Sequence, residues 1–325
     1  MKLLLSVLLA TSFACCKNKT VHPQPDAQAK YSINIEIQAT ERTPTVEEKE
    51  EVFQLLKANA KSSGIACQSI EMIPEKQRIT FNVIGLLSEE GIKDPGLDFI
   101  AYTLSSSSSL EFWDVYQNTD ENIAGLFFQL YQQYDLGKGL TPGFSVPGFT
   151  PSYATAVIGT AAPEDIGSLD SILKTPEVLN SLPPEMVLAW SFYQINLPQE
   201  EPYFELYALK KSTSTGPFLT GKDLRAIQGS MEEGSENVSI SLEFNDEAAR
   251  VFADKTRWAA ENSNREIAFL MDGWVLMAPK VMSEIKGGRS LITAGFDLEE
   301  SSRIINKLKL GILPFELKVV EAKKL

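Results

Sequence analysis

The chain of 325 residues is long enough for two domains, or for one domain with a large insertion. Hydrophobic residues make up 43% of the sequence and charged residues 22%, as in ordinary globular proteins. The formal net charge of −13 argues against nucleic acid or anionic lipid as a main partner, because both require a positive surface.

The N-terminus has the pattern of a signal peptide, with Lys2 followed by a short apolar run from Leu3 to Ala14. This run is shorter than the about 20 residues that span a bilayer as a helix. It ends at Cys15, and a small residue before a cysteine resembles a lipobox. We therefore expect residues 1–15 to be a signal peptide with a lipobox-like end, Cys15 to be lipidated, and residues 16–30 to form a tether. Acylation of Cys16, or an ordinary signal peptide with incidental cysteines, remain alternatives.

Residues 31–116 predict the order β-α-β-β-α-β of a ferredoxin-like plait. Alternating apolar residues indicate strands, and the capping box of Thr45 and Glu48 begins the first helix. The predicted strands are 31–38, 65–73, 78–84 and 110–115, and the predicted helices are 45–62 and 97–104.

Residues 117–296 contain shorter and less regular elements. Helices are predicted around 123–134, after Thr175, and from Asn245 to about Glu261, and strands at 204–209 and 238–242. A turn or short helix is expected at 221–226. The helix after Asn245 is expected to bury one face that includes Phe252 and Trp258.

The end of the chain predicts a hairpin, a further strand and a helix. Asp272-Gly273 favours a type I′ turn between apolar strands at 267–271 and 274–278. A turn at Gly287-Gly288 precedes a strand at 289–294. Asp297 is expected to cap the last helix, and Gly311 to end that helix in the left-handed conformation.

The sequence contains no recognisable catalytic motif. The sole histidine, His22, lies in the expected tether, which removes Ser-His-Asp, Cys-His and His-ligated metal sites. The sequence contains no GxSxG, HExxH or Walker loop. Paired carboxylates such as Glu299-Glu300 lie in turns or at helix starts, where solvation or capping explains them. We predict a protein that is not an enzyme and has no cofactor and no metal site.

Several stretches resemble the first periplasmic domain of SecD and SecDF, accessory subunits of the Sec protein-export channel. The carriers of the resemblance are "IAFLMDGWVLMAP" followed by "IKGGRSLITAGFDLEESSRIINKLKLGILP", and upstream "PFLTGKDLRAIQGSMEEGSENVSISLEF". "AVIGTAAPEDIGSLDSILKTPEVLNSLPPEM" resembles the insert of SecDF proteins of the Bacteroidetes type, and "ITFNVIGLLSEEGIKDP" resembles the base of the domain. The resemblance covers most of residues 30–325.

This resemblance implies an α+β fold, a split ferredoxin-like base domain with an inserted α+β head domain. The base would comprise residues 31–116 and 297–325, and the head residues 117–296. The implied function is assistance in protein export, by binding unfolded or emerging polypeptide, or subunits of the Sec translocon. We expect a stand-alone, lipid-anchored, periplasm-facing lipoprotein of the cell envelope, without the transmembrane part of the family. An envelope lipoprotein that keeps this fold for an unrelated ligand or partner is the alternative.

The candidate polypeptide-binding residues are Trp274, Met277 and Met282, because methionine and aromatic side chains suit surfaces that bind varied apolar segments. Trp274 and Met277 alternate on the second strand of the hairpin, so they lie on opposite faces. One face must cover a core, and the alternative that both faces are buried stays open.

The anchor is directly testable. Replacing Cys15 by alanine is expected to abolish acyl labelling and to release the protein from membranes, because the acylated side chain is removed. Metabolic labelling with palmitate measures this. Continued labelling of the Cys15→Ala protein would move the anchor to Cys16 or remove it.

Overall fold

The computed structural model describes residues 29–39, 42–88, 91–146, 150–151, 153–193, 195, 201–212, 216–231 and 237–325. The expected signal peptide and most of the expected tether, with Cys15, Cys16 and His22, lie outside the described residues. The fold class is α+β, as predicted.

The strands of the described residues are β1 (Tyr31–Ala39), β2 (Ile65–Ile73), β3 (Arg78–Ser88), β4 (Gly91–Lys93), β5 (Leu110–Val115), β6 (Leu140–Pro142), β7 (Val157–Ala161), β8 (Met186–Trp190), β9 (Phe204–Lys210), β10 (Leu219–Thr220), β11 (Leu224–Met231), β12 (Val238–Phe244), β13 (Ile267–Met271), β14 (Trp274–Met277), β15 (Arg289–Phe296) and β16 (Phe315–Lys324). The α-helices are α1 (Val46–Ser62), α2 (Leu97–Ser105), α3 (Glu121–Gln133), α4 (Ile166–Leu173), α5 (Pro176–Ser181), α6 (Asp246–Glu261) and α7 (Leu298–Gly311). Short 3₁₀ helices lie at Pro74–Lys76, Leu136–Lys138 and Gly221–Asp223.

The chain forms two compact units. The first contains the described residues up to Ser108, Ile227–Ser241 and Gly295–Leu325, and the second contains Ser109–Ala226 and Leu242–Ala294.

The first unit is built on a sheet with the order β16-β1-β3-β2, in which β4 also pairs with β3. All these neighbours are antiparallel. With α1 between β1 and β2 and α7 before β16, this is the ferredoxin-like arrangement. The last helix and strand of the chain therefore complete a plait whose first strands lie more than 200 residues earlier.

The sequence analysis also named residues 110–115 as the fourth strand of the plait, and this assignment is wrong. β5 pairs with β13, β9 and β10 in the second unit. The place beside β1 is taken by β16, with Ile37 opposite Leu317. The apolar pattern of a strand predicts which face is buried, but it does not identify the strand's neighbour.

The core of the first unit lies between this sheet and its helices. Side chains of alternate residues in β1 and β3 and a stripe of α1 are almost fully buried. Asn59 of α1 is buried as well, and its side-chain amide donates to the carbonyls of Thr103 (3.1 Å) and Leu104 (3.3 Å) at the end of α2. These carbonyls have no partner within their own helix, so the amide stabilises the helix end.

The serine run before β5 packs closely against α7. Lys307 of α7 donates to the carbonyls of Thr103 (2.6 Å) and Ser106 (2.9 Å). The predicted left-handed conformation of Gly311 is wrong, since this glycine is absent from the positive-φ residues and is the last residue of α7. A Cβ at position 311 would overlap the carbonyl oxygen of Ser108, so glycine is required by close backbone approach.

The second unit contains an eight-stranded sheet with the order β14-β13-β5-β9-β7-β6, in which β8 also pairs with β9. Ser191, directly after β8, forms a parallel bridge to Val275 of β14, and the Phe192 amide donates to the Val275 carbonyl at 2.7 Å. The strands β14, β13, β5, β9 and β8 therefore close a ring.

The interior of this ring is filled by a small set of side chains, many of them alanine or valine. Its buried members are Trp113, Val115, Ala156, Ala189, Tyr207, Leu209, Ala268, Leu270 and Val275. A second cluster, called the outer cluster below, lies on the other face of β8 and β9 and is covered by α3, α4 and α5. Alternation of side chains along β8 and β9 thus divides the unit between two cores.

The helix α6 packs on a group of phenylalanines. The ring of Phe112 lies 5.0–6.1 Å from those of Phe244, Phe252 and Phe269 in edge-to-face geometry. The buried residues of α6 are Ala248, Phe252, Thr256 and Ala259. Trp258, which the sequence analysis placed on this face, is 50% exposed, because its position is about a third of a turn away from the buried stripe.

A third sheet has the order β11-β12-β15. The predicted turn or short helix at 221–226 is correct only for the 3₁₀ turn at Gly221–Asp223, since β11 begins at Leu224. In the part of the chain that the structure describes, no helix is long and apolar enough to cross a membrane.

Glycine substitutions test the packing of α7. Gly311→Ala is expected to lower the free energy of unfolding by about 1–3 kcal/mol, because the new methyl group must displace the backbone at Ser108. Gly125→Ala in α3 is the matched control, since a Cβ there meets no atom within 4 Å. The control is expected to stabilise by about 0.5–1 kcal/mol. Denaturant unfolding measures both, and equal effects would contradict the close approach.

Candidate functional site

The hairpin of β13 and β14 forms as the sequence predicts. Asp272 and Gly273 have φ of 52° and 84°, as a type I′ turn requires. The Asp272 carboxylate accepts from the Ser109 amide at 2.8 Å, and the Asp272 amide donates to the Ser109 carbonyl at 3.2 Å. The turn is therefore bound to the start of β5.

The entry to the hairpin is held by Arg265. Its guanidinium donates to both carboxylate oxygens of Asp120, at 2.9 and 2.6 Å, and to the Val115 carbonyl at 3.1 Å. Burial raises the pKa of Asp120, but the bonds from Arg265 and the Gln117 amide outweigh it and leave the pKa below its ordinary value. The guanidinium also lies 5.9 Å from the centre of the Trp258 ring.

The neighbouring Glu266 is buried and accepts from the side-chain amide of Gln117 at 2.7 Å. Such a bonded carboxylate fixes the loop before α3 relative to the hairpin. The contacts of Arg265 and Glu266 hold the hairpin against the end of β5 and the loop before α3. They give these charged groups at the base of the hairpin a structural role.

The three predicted binding residues lie in different surroundings. Trp274 is half-buried and packs against the cluster outside the ring, while Val275 faces the ring interior. Met277 is half-buried and lies opposite Phe269. Both faces of β14 are therefore largely used in packing, the alternative that the sequence analysis left open.

Met282 is the exception, with 72% of its surface exposed. It follows Val281, whose amide donates to the Arg265 carbonyl at 3.1 Å, so its loop is bound to the segment between α6 and β13. Further along, the Ile285 amide donates to the Thr256 hydroxyl at 2.9 Å. The loop thus presents Met282 on a backbone that is hydrogen-bonded on both sides of this residue.

A groove of about 400 Å³ opens beside α4, α5 and β8. Its walls are mainly apolar, and Lys174, Lys211 and Asp170 lie at its edge. The groove was not predicted from the sequence, since its residues come from two helices, two strands and the segments between them. The signal was the pair Pro183-Pro184, which lines the groove where α5 has ended.

A further charged pair of the second unit lies between β5 and α6. The Lys255 ammonium contacts the Asp114 carboxylate and lies 5.0 Å from the centre of the Phe218 ring. Among the described residues no three His, Cys, Asp or Glu side chains are placed to hold a metal ion.

Two truncations separate packing from exposure at the predicted residues. Trp274→Ala is expected to lower the free energy of unfolding by about 2–4 kcal/mol, because the indole packs against the outer cluster. Met282→Ala is expected to change it by less than about 0.5 kcal/mol, because the side chain is exposed. Thermal and denaturant unfolding measure both. A destabilised Met282→Ala protein would mean that this side chain is buried in solution.

Part of the chain is similar to known proteins. Residues 197–315 match the family model described as "SecDF, P1 head subdomain". The SecD protein translocase subunit of Acidaminococcus fermentans is 43% identical over 103 residues, which are 32% of this chain and 24% of that protein. The SecD subunit of Leptotrichia buccalis is 37% identical over 111 residues, or 34% of this chain and 27% of that protein.

Among solved structures, SecDF in its super-membrane-facing form superposes with a TM-score of 0.41 at 22% sequence identity, over 99% of this chain and 34% of that one. The matched segments amount to about a quarter of the length of the two SecD relatives. Residues 197–315, which hold the hairpin, α6 and α7, are thus similar to the P1 head subdomain of SecDF.

Proposed function

We propose that this chain is a non-catalytic, SecD-like lipoprotein that assists protein export on the periplasmic side of the cell envelope. The observation that carries the proposal is the match of residues 197–315 to the SecDF P1 head subdomain. The partners would be unfolded or emerging polypeptides, subunits of the Sec translocon, or both. The lipid on Cys15 would hold the protein at the membrane, and residues 156–186 would be the insert of the Bacteroidetes type.

The base and head assignment is part of this proposal. Residues 31–116 and 297–325 would form the base, except that β5 belongs to the sheet of the second unit. Residues 117–296 would form the head that holds the polypeptide, with Met282 as its exposed apolar contact. Trp274 and Met277 would support this surface through packing.

A second function is favoured by the limits of the match. The similarity to the family model begins at residue 197, so α3, α4, α5 and most of the lining of the groove beside them lie outside it. These elements could serve an unrelated envelope ligand on a retained scaffold.

Site-specific cross-linking tests the two functions in living cells. A photoreactive amino acid at position 282 is expected to form adducts with exported polypeptides or with Sec subunits, because that side chain is exposed in the proposed head. The same amino acid at Leu291, which is 52% exposed in the same unit, is the matched control. Adducts from both positions are identified by mass spectrometry after purification of the tagged chain.

Enrichment of exported or Sec proteins at position 282 over position 291 supports the export function. Adducts with a single unrelated envelope protein support the second function. Equal or absent adducts at the two positions contradict a polypeptide contact at Met282.

A further inference from the structure

The groove beside α4, α5 and β8 has the properties of a binding site. Its volume of about 400 Å³ lies within the range of ligand pockets, about 300–1,000 Å³. Its apolar lining continues the outer cluster of the second unit to the surface. The contributing side chains are Leu173, Leu179, Leu182, Met186, Leu188 and Trp190.

Leu179 distinguishes this groove from ordinary packing. It lies on the short helix α5, and 51% of its surface is exposed, whereas its neighbours Val178 and Leu182 are buried in the outer cluster. Thr175 caps α5, with its hydroxyl 3.5 Å from the Val178 amide, and Pro176 occupies the first turn. The backbone that presents Leu179 is therefore well defined, and its side chain forms an open apolar edge.

The charge at the edge of the groove is positive. Lys174 is paired with Asp170 at 2.7 Å, so these two groups compensate each other. Lys211 instead donates to the carbonyl of Pro184 at 2.9 Å, and among the described residues it forms no ion pair. A chain with a net charge of −13 thus places an uncompensated ammonium group next to an apolar groove.

We propose that this groove binds an extended polypeptide segment whose apolar side chains lie next to an acidic residue. The apolar side chains contact Leu179 and the floor of the groove, and the acidic side chain pairs with Lys211. In an extended segment, side chains two residues apart point to the same side, so two of them enter the groove together. The carboxylate between or beside them then lies near its edge. This inference rests on the proposed function. It adds a polypeptide contact most of whose residues lie outside residues 197–315.

Charge complementarity favours this occupant over a purely apolar one. Rim charges contribute mainly to the selection of partners, and a cation held by a neutral carbonyl keeps its full charge for an incoming anion. The opposite case, a basic segment, would meet the Lys211 ammonium as a like charge and be rejected.

Fluorescence anisotropy with labelled, unstructured decapeptides tests the proposal on the full chain. One peptide carries two leucines two residues apart followed by aspartate, the second has asparagine in place of the aspartate, and the third has serine in place of both leucines. Leu179→Ala is expected to lower the affinity for the aspartate peptide by about fivefold or more, which is the effect of removing one contributing contact. Lys211→Gln is expected to lower the affinity for the aspartate peptide to a similar degree and to leave the affinity for the asparagine peptide unchanged.

Matched controls exclude general effects. Leu291→Ala removes an equally exposed leucine of the same unit, and Lys222→Gln removes an exposed lysine outside the groove. Melting temperatures of all variants are compared with that of the wild-type chain. The coupling between Lys211 and the peptide carboxylate, obtained from the four affinities, is insensitive to a uniform loss of folded protein.

The outcomes separate this inference from the proposed function. Suppose that the wild-type chain binds the leucine peptides. The groove assignment is wrong, and the export function stands, if Leu179→Ala and Leu291→Ala have the same affinity for the aspartate peptide. The same conclusion holds if Lys211→Gln lowers the affinity for the aspartate and asparagine peptides equally. If the wild-type chain binds no peptide and position 282 forms no adducts, the export function fails as well. Binding of dodecanoate that depends on Leu179 and Lys211, without peptide binding, would assign the groove to an anionic amphiphile and overturn the proposal.

Discussion

The pairing of β5 with β13 is the constraint on which the second unit depends. These strands are about 150 residues apart in the chain, and five consecutive residue pairs join them, from Ile267 and Asp114 to Met271 and Leu110. An isolated two-stranded hairpin is marginally stable in water, so β13 and β14 need this third strand. The same pairing places Phe112 against α6 and turns Trp113 toward the ring interior.

This pairing also determines which surfaces remain for binding. All residues of β13 are buried, and β14 is covered on one face by the ring interior and on the other by the outer cluster. Apolar residues that the hairpin pattern offers for recognition are therefore used in folding. Apolar side chains that remain exposed in this unit include Met282, on the loop after the hairpin, and Leu179, which lines the groove.

In both units, basic side chains hold separate elements together. Arg265 is bound by Asp120, Lys255 contacts Asp114, and Lys307 donates to carbonyls at the end of α2. These three basic side chains each join elements that are distant in the chain. Lys211 also donates to a neutral carbonyl, but it lines an apolar groove, which is why it carries a proposal about recognition.

Local patterns determined much of this structure without tertiary information. The capping box at Thr45, the cap at Asn245 and the turn at Asp272-Gly273 all form as their residue types require, because capping and turn chemistry involve neighbours within four residues. The resemblance of the hairpin and its surroundings to SecD proteins was likewise readable from the order of short motifs. The absence of catalytic motifs is a property of the sequence as well.

Only the tertiary structure determined which strands pair and which apolar side chains remain exposed. β5 reads as a fourth strand for the plait, but β16 takes that place, since alternation does not encode a neighbour. Gly311 reads as a left-handed helix end, yet its role is to admit the Ser108 carbonyl from another segment. The groove beside Leu179 is formed by two helices, two strands and the segments between them. Contacts between residues distant in the chain depend on packing geometry, which periodicity and spacing do not contain.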